Sequence, residues 1–335
     1  MRRILSTLLL AACIVSAQTK KIVYLNGDAA TAQEFQAMSP NVKLVPVPAA
    51  NIMGEIGDAD ALIGAPTPEM IKAGKKLKWV QVMSAGVENV LFRPGSEGLR
   101  NSNIILTNNK IVQGPEIADH AFAMLLFTSR QLNVFYKNKQ EENWQPRPFH
   151  GIELRGKTAV IIGVGGIGTQ IALRAYGFGM NVIGVDPEDK PFVPYISRMV
   201  KPDQLDEVIP EADVVFISAP DTAKSHKMMG MHEFDLMKQN SFFICVSRGG
   251  LYDMNGLVKA LDSKKLTGAG VDVTDPEPLP KGHPLWKFDN VMITPHIAGR
   301  SDKDNARMIG SIKENIRRFG AGLPLINIVD KQKGY

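Results

Sequence analysis

The segment Gly163-Val164-Gly165-Gly166-Ile167-Gly168 constrains this chain more than any other, because of what flanks it. An apolar run, 159–162, precedes it and an apolar helical stretch, 169–176, follows. Strand, glycine turn and helix in that order are what a dinucleotide-binding βαβ unit requires. Gly163 is placed to make the tight turn, and Gly165 to let the backbone approach a pyrophosphate. Gly168 lets helix pack on strand, and the phosphates sit at the helix N-terminus beside Gly166 and Ile167. A glycine pattern alone matches many unrelated turns, so its acidic partner matters. Asp186 ends the next apolar run (NVIGVD), where a carboxylate accepts hydrogen bonds from adenosine ribose hydroxyls and repels a 2′-phosphate. The expected cofactor is therefore NAD rather than NADP. No Lys-Ser/Thr follows the glycines, which excludes a P-loop here.

The remaining hydrophobic pattern divides into two α/β units. Nearly continuous apolar runs at 158–164, 181–186, 213–219, 241–247, 266–273 and 291–295 alternate with helical stretches. Such runs belong to parallel strands covered by helices on both faces. A weaker alternation occupies 21–26, 59–65, 78–84 and 104–108. Pro115 opens an amphipathic helix expected to continue to about Lys139, with Ile117, His120, Ala121, Met124, Leu125, Phe127 and Thr128 on one face. The double-proline stretch 144–149 (WQPRPF) reads as a linker, and 301–320 returns to helical spacing. At roughly 150 residues per domain, 335 residues suggest two domains. The expected fold is α/β: two Rossmann-like or flavodoxin-like parallel-sheet domains, the NAD-binding domain 113–297 inserted in a discontinuous substrate domain, 18–112 plus 298–335.

The first residues read as a leader, not as part of that fold. Met1-Arg2-Arg3 is basic, 4–15 is apolar and Val15-Ser16-Ala17 has the small-x-small pattern of a cleavage site. This predicts a signal peptide over 1–17 and export, with a cytoplasmic protein as the alternative. The apolar run is too short to span a membrane, which takes ~20 residues, and no later stretch qualifies. Leu10-Ala11-Ala12-Cys13 also resembles a lipobox, ranked below simple cleavage. Cleavage after Ala17 leaves Cys245 as the sole cysteine, so no intrachain disulfide is possible and cysteine usage cannot report the compartment.

Three ionisable residues lie just beyond apolar runs, where open α/β sheets place their ligand crevice: Arg248 after SFFICVS, Glu277 in the 272–278 stretch, and His296 after VMITP. Reduction of a 2-oxo acid needs a carboxylate clamp, a proton donor and a hydride source. Arg binds a carboxylate bidentately, His lends a proton near neutral pH, and Glu orients the imidazole. Taken singly, each has an ordinary structural explanation as a cap, a core histidine or a solvated loop carboxylate.

With these motifs in this order, the chain resembles the D-isomer-specific 2-hydroxyacid dehydrogenases, relatives of glyoxylate/hydroxypyruvate reductase, phosphoglycerate dehydrogenase and formate dehydrogenase. The resemblance runs from about Lys20 to Tyr335. It is carried by 163–168 with Asp186, 246–250 (VSRGG), 270–273 through 277–280, and 294–299 (TPHIAG). It implies that Arg248 binds substrate, that His296 is the acid/base and that Glu277 is its partner. It also implies that Asp272 meets the nicotinamide amide, and that Ser218-Ala219-Pro220 packs beside the cofactor. The loop Ser84-Ala85-Gly86-Val87 is implied to offer backbone N–H groups to the substrate carboxylate, and His120 to be structural. A homodimer is likewise expected. The chain departs from the family pattern at Thr274, where Phe is commoner, and at Gly166, where Arg or His is commoner. The fold also serves as an NAD-binding corepressor in animals, which leaves a sensor with little turnover as the alternative function.

The six histidines show no metal-type spacing with Cys or carboxylates, so no metal site is expected. Lys72, Lys75, Lys76 and Lys78 form a basic run beside Trp79 that reads as a solvated face. The overall excess of 39 basic over 34 acidic residues is mild, falls by two on cleavage, and points to no nucleic-acid partner.

Overall fold

A computed structural model describes residues 19–335. The leader and lipobox readings fall on residues 1–17, outside the described residues.

Five parallel strands form the first sheet: β1 (Lys20–Leu25), β2 (Val42–Val47), β3 (Ala61–Ile63), β4 (Trp79–Gln81) and β5 (Ile105–Thr107), in the order β2-β1-β3-β4-β5. This is the flavodoxin-like order. Seven parallel strands form the second sheet: β6 (Thr158–Ile162), β7 (Asn181–Val185), β8 (Arg198–Val200), β9 (Val214–Ile217), β10 (Ser241–Cys245), β11 (Leu266–Val271) and β12 (Val291–Ile293). Their order, β12-β11-β10-β9-β6-β7-β8, is the doubly wound one, and the strand order reverses between β6 and β9.

Two strands were not expected from the sequence, and both are edges. β2 (VKLVPV) carries a proline that demotes it as a strand, which an edge position tolerates because one side of the strand needs no ladder hydrogen bonds. β8 is three residues long and partly exposed, with no apolar run to betray it. A third difference is the helix after Pro115. It runs from Gly114 to Ser129, breaks, and resumes as a separate helix, Leu132–Gln140. The break falls at Gln131, whose φ of 53° is left-handed and incompatible with helix continuation. Ile117, Ala121, Met124, Leu125 and Thr128 are buried as the spacing predicted, in a helix packed on β11 and on the helix Gly166–Gly177.

The C-terminal helix, Asp304–Ala321, returns to the first sheet. Its Ile312, Ile316 and Phe319 pack with Ile22, Phe35 and Trp79. A buried polar chain fixes its register. Trp79 Nε1 donates to Thr107 Oγ1 at 2.7 Å, and Thr107 donates to Gln81 Oε1 at 2.7 Å. Asn315 Nδ2 donates to the same oxygen at 3.0 Å and its own Oδ1 accepts from Ile326 N at 2.8 Å. Satisfied buried networks of this kind specify one packing, because an unpartnered member is costly. The first sheet is thus completed by residues that follow the second in sequence. Arg307 crosses to the helix Gly114–Ser129, pairing with Glu116 at 2.5 Å.

Candidate active site

The glycine loop sits at the strand-order reversal. Gly163 has φ +89°, and a Cβ there would lie 2.5 Å from Ala219 N, so the turn after β6 touches the residues after β9 directly. At Gly168 a Cβ would lie 1.9 Å from Gly163 O, which leaves no room for any side chain where helix meets strand. A Cβ on Gly165 meets nothing within 4 Å, so this residue borders open space at the N-terminus of the helix Gly166–Gly177. Open space, free helix N–H groups and a glycine floor fit a pyrophosphate. Gly166 has a different reason to be glycine: its Cβ would lie 2.6 Å from Ile111 Cα, so the segment that leads into the helix Gly114–Ser129 fills the place of a side chain.

Asp186 is buried and tied to that loop. Its Oδ2 accepts from Val164 N at 2.8 Å, its Oδ1 accepts from Glu188 N at 2.9 Å, and Lys190 Nζ lies 3.2 Å away. A carboxylate offers about four lone-pair sites, so one remains for a ribose hydroxyl. Beside it, Glu188 accepts from Lys333 Nζ at 2.6 Å and from Tyr335 at 2.9 Å, which holds its carboxyl below the usual range. Burial first, then Glu188, push the Tyr335 hydroxyl up to about 12.

Arg248, Glu277 and His296 follow β10, β11 and β12, which are adjacent in the sheet. Their loops touch: a Cβ on Gly249 would lie 2.0 Å from the Thr274 carbonyl carbon, so only glycine lets the Arg248 loop seat against the Glu277 loop. Glu277 Oε2 lies 3.0 Å from His296 Nδ1, and Oε1 accepts from Thr274 N at 3.1 Å. Thr274 Oγ1 donates to Pro276 O at 2.9 Å, so the threonine braces the Glu277 turn. His296 has φ +56°, a left-handed conformation rare for a non-glycine residue. The conformation is held because His296 N donates to Asp272 O at 2.8 Å, Ile297 N to Asp272 Oδ1 and Ala298 N to Oδ2, both at 2.9 Å. Several bonds therefore fix the backbone that carries this half-exposed histidine.

Asp272, 2% exposed, therefore anchors the His296 loop with both oxygens, and Thr294 Oγ1 adds a further bond at 2.5 Å. His120 Nε2 lies 2.9 Å from Thr294 Oγ1, placing it behind this network. On the other side, Arg248 Nε donates to Glu88 Oε1 at 2.6 Å and Nη1 to Ser247 O at 2.6 Å. Glu88 follows the 84–87 loop, in which Ala85 O accepts from Asn108 Nδ2 at 2.5 Å and a Cβ on Gly86 would lie 1.9 Å from Arg248 Nη2. Arg248 is thus brought to Gly86, and Glu277 to His296. Glu88, Thr294 and Lys190 were not picked out by sequence reasoning. Glu88 lies too far along the chain from Arg248 for any local pattern to reveal the pair.

Two other features stand apart from this set. Asp206, His232 and Glu233 bring one ligand atom each within 4.8 Å of one another, a surface cluster that sequence spacing does not reveal. Glu233 Oε2 already accepts from Gly230 N at 2.8 Å, and His232 lies 3.2 Å from Asp206, so both are engaged without a metal. A surface groove is lined by Lys72, Lys75 and Lys78 with Ile71, Leu77 and Ile105, and includes none of Arg248, Glu277 and His296. Among the described residues, no helix is long and apolar enough to cross a membrane.

Cys245 ends β10 just before Arg248 and is fully buried, which pushes its thiol up to about 12. A thiol so placed is inert. Alkylation of native protein with iodoacetamide at pH 8 is expected to leave Cys245 unmodified, and alkylation in denaturant to label it, as read by peptide mass mapping.

Residues 122–298 match the family described as D-isomer specific 2-hydroxyacid dehydrogenase, NAD binding domain. A glyoxylate reductase of Thermococcus litoralis is 32% identical over 301 residues, covering 84% of this chain and 86% of that protein. A D-3-phosphoglycerate dehydrogenase of Methanocaldococcus jannaschii is 32% identical over 83% of this chain, which spans only 53% of that longer protein. A crystal structure of a D-isomer specific 2-hydroxyacid dehydrogenase from Xanthobacter autotrophicus Py2, in complex with NADPH and MES, superposes with a TM-score of 0.80 at 25% identity, covering 95% of this chain and all of that one.

Proposed function

Since the chain belongs to the D-isomer specific 2-hydroxyacid dehydrogenase family, we propose that it is an NAD(H)-dependent reductase of small 2-oxo acids. The observation that carries this reading is the Glu277–His296 pair, 3.0 Å apart, on the strand end next to that of Arg248. When bound, a reduced nicotinamide supplies the hydride that reduces C2. Arg248 holds the substrate carboxylate against the Gly86 loop, where backbone N–H groups add to the clamp. Nδ1 of His296 faces Glu277, so Nε2 is the nitrogen left to give a proton to the C2 oxygen, and Glu277 fixes the ring for that transfer. Asp272 holds the histidine backbone in its left-handed conformation.

Purified protein with NADH is expected to consume absorbance at 340 nm with at least one of glyoxylate, hydroxypyruvate, pyruvate and phenylpyruvate. Tight NADH binding without turnover of any 2-oxo acid contradicts the enzyme and favours a sensor.

Asp186 and Glu188 together favour NAD, since a 2′-phosphate would meet two carboxylates. Lys190 qualifies that preference, because it lies against Asp186 as its counter-charge. In Asp186→Ser a hydroxyl still serves Val164 N–H while Lys190 is released. The ratio of kcat/KM for NADPH over NADH is expected to rise by about 10²-fold, the size of a lost repulsion at ~4–5 Å in a partly solvated site. An unchanged ratio in cofactor titrations would remove Asp186 as the selectivity residue.

We also propose a homodimer. Leu132, Val134 and Tyr136 of the helix Leu132–Gln140, with Trp144 and Phe149 beyond it, are exposed large apolar groups along one stretch, with Trp144 95% exposed. Large apolar side chains left exposed in one segment are candidates for an interface. Light scattering at micromolar concentration checks the mass. Export remains a proposal from the leader, and N-terminal sequencing of native protein decides it: a start at Gln18 supports cleavage.

A further inference from the structure

We propose that Glu88 acts as a charge filter in the substrate site, restricting efficient turnover to 2-oxo acids whose only negative charge is the carboxylate held by Arg248. This rests on the dehydrogenase reading of the same site. Glu88 opens the short helix Glu88–Leu91 directly after the 84–87 loop. Its Oε1 accepts from Arg248 Nε at 2.6 Å. A Cβ built on Gly86 would lie 2.6 Å from Glu88 Oε2 and 1.9 Å from Arg248 Nη2. Both Glu88 oxygens, the guanidinium and the Gly86 backbone therefore share one small volume. Glu88 and Arg248 are each about 30% exposed there, 31% and 29%, so water screens the pair only in part.

A substrate carboxylate received by Arg248 and the Gly86 loop must share its cation with Glu88. The rest of a small 2-oxo acid then lies within a few ångströms of the Glu88 carboxylate, because only two or three bonds separate its carboxylate from C3 and its substituent. The other charged groups on these loops do not offset a second anion. Glu277 is paired with His296, Asp221 and His226 face each other over Gly250, and Arg300, on the turn after His296, points largely into solvent with Asp304 at 3.8 Å. A phosphate or second carboxylate on C3 thus meets a fixed like charge with no free cation in this set, and like charges at this range disfavour each other strongly. An uncharged substituent pays no such penalty.

The test compares kcat/KM at saturating NADH for glyoxylate, oxaloacetate and 3-phosphonooxypyruvate in wild type and Glu88→Gln. The glutamine keeps an acceptor for Arg248 Nε and removes the charge. Wild type is expected to prefer glyoxylate over both multiply charged acids by about 10²-fold or more, and Glu88→Gln to raise the ratio of either to glyoxylate by about tenfold or more. A ratio unchanged within about twofold, with glyoxylate turnover retained, overturns the filter and leaves the dehydrogenase reading intact. Wild type inactive on every 2-oxo acid overturns both. Should Glu88→Gln not fold, wild type alone decides: equal kcat/KM for glyoxylate and 3-phosphonooxypyruvate overturns the proposal, and strong preference for glyoxylate supports it.

Discussion

Replacing His296 by alanine is expected to lower kcat by ~10²–10⁴ while leaving NADH affinity nearly unchanged, the signature of a lost general acid. Several bonds converge to place this one imidazole: Glu277 on Nδ1, Asp272 O on the backbone N–H, and Asp272 carboxylate oxygens on the next two amides. They hold a left-handed φ that costs of order 1 kcal/mol or more. Alanine keeps the backbone anchors, so the loop is expected to stay in place. Stopped-flow fluorescence for NADH binding and steady-state kcat together make the check. A parallel collapse of NADH affinity would assign His296 to holding the cofactor side of the cleft instead.

Arg248→Ala is expected to cost about 10²–10⁴ in kcat/KM for the 2-oxo acid, again with NADH affinity preserved. Two hydrogen bonds to a charged group are worth about 1.5–3 kcal/mol each, and each 1.4 kcal/mol is a factor of ten. The loss also leaves Glu88 unpaired where a substrate carboxylate must bind, which adds repulsion to the missing attraction. Arg248→Lys is expected to restore less than a tenth of wild-type kcat/KM, because an ammonium cannot reproduce the planar fork that reaches Ser247 O, Glu88 and the substrate together. A lysine variant close to wild type would mean that charge alone suffices and that the fork geometry is incidental.

Much of this arrangement is legible in the amino-acid sequence because each part carries a local signal. Gly163, Gly165 and Gly168 stand between an apolar run and a helix, and Arg248, Glu277 and His296 each close or follow an apolar run. Parallel sheets bring such positions to one edge without further information. The misses share a physical cause, which is dependence on contacts distant in sequence. β2 and β8 are strands only because a neighbour lends them hydrogen bonds, and neither their composition nor their length announces it. The break at Gln131 involves no proline or glycine. The Glu88–Arg248 pair joins loops of different sheets. Gly166 lacks a side chain because Ile111 approaches it, a reason that only the packing around Ile111 discloses.

The proposed reaction is direct hydride transfer from the nicotinamide to C2 of a 2-oxo acid, with His296 protonating the oxygen. A direct test uses NADH carrying deuterium at both C4 positions and whichever chiral-product acid the protein reduces fastest, followed by mass analysis and chiral separation of the hydroxy acid. The expected product carries one deuterium at C2 in the D configuration. A product with no deuterium, or of L or racemic configuration, would contradict the proposed reaction.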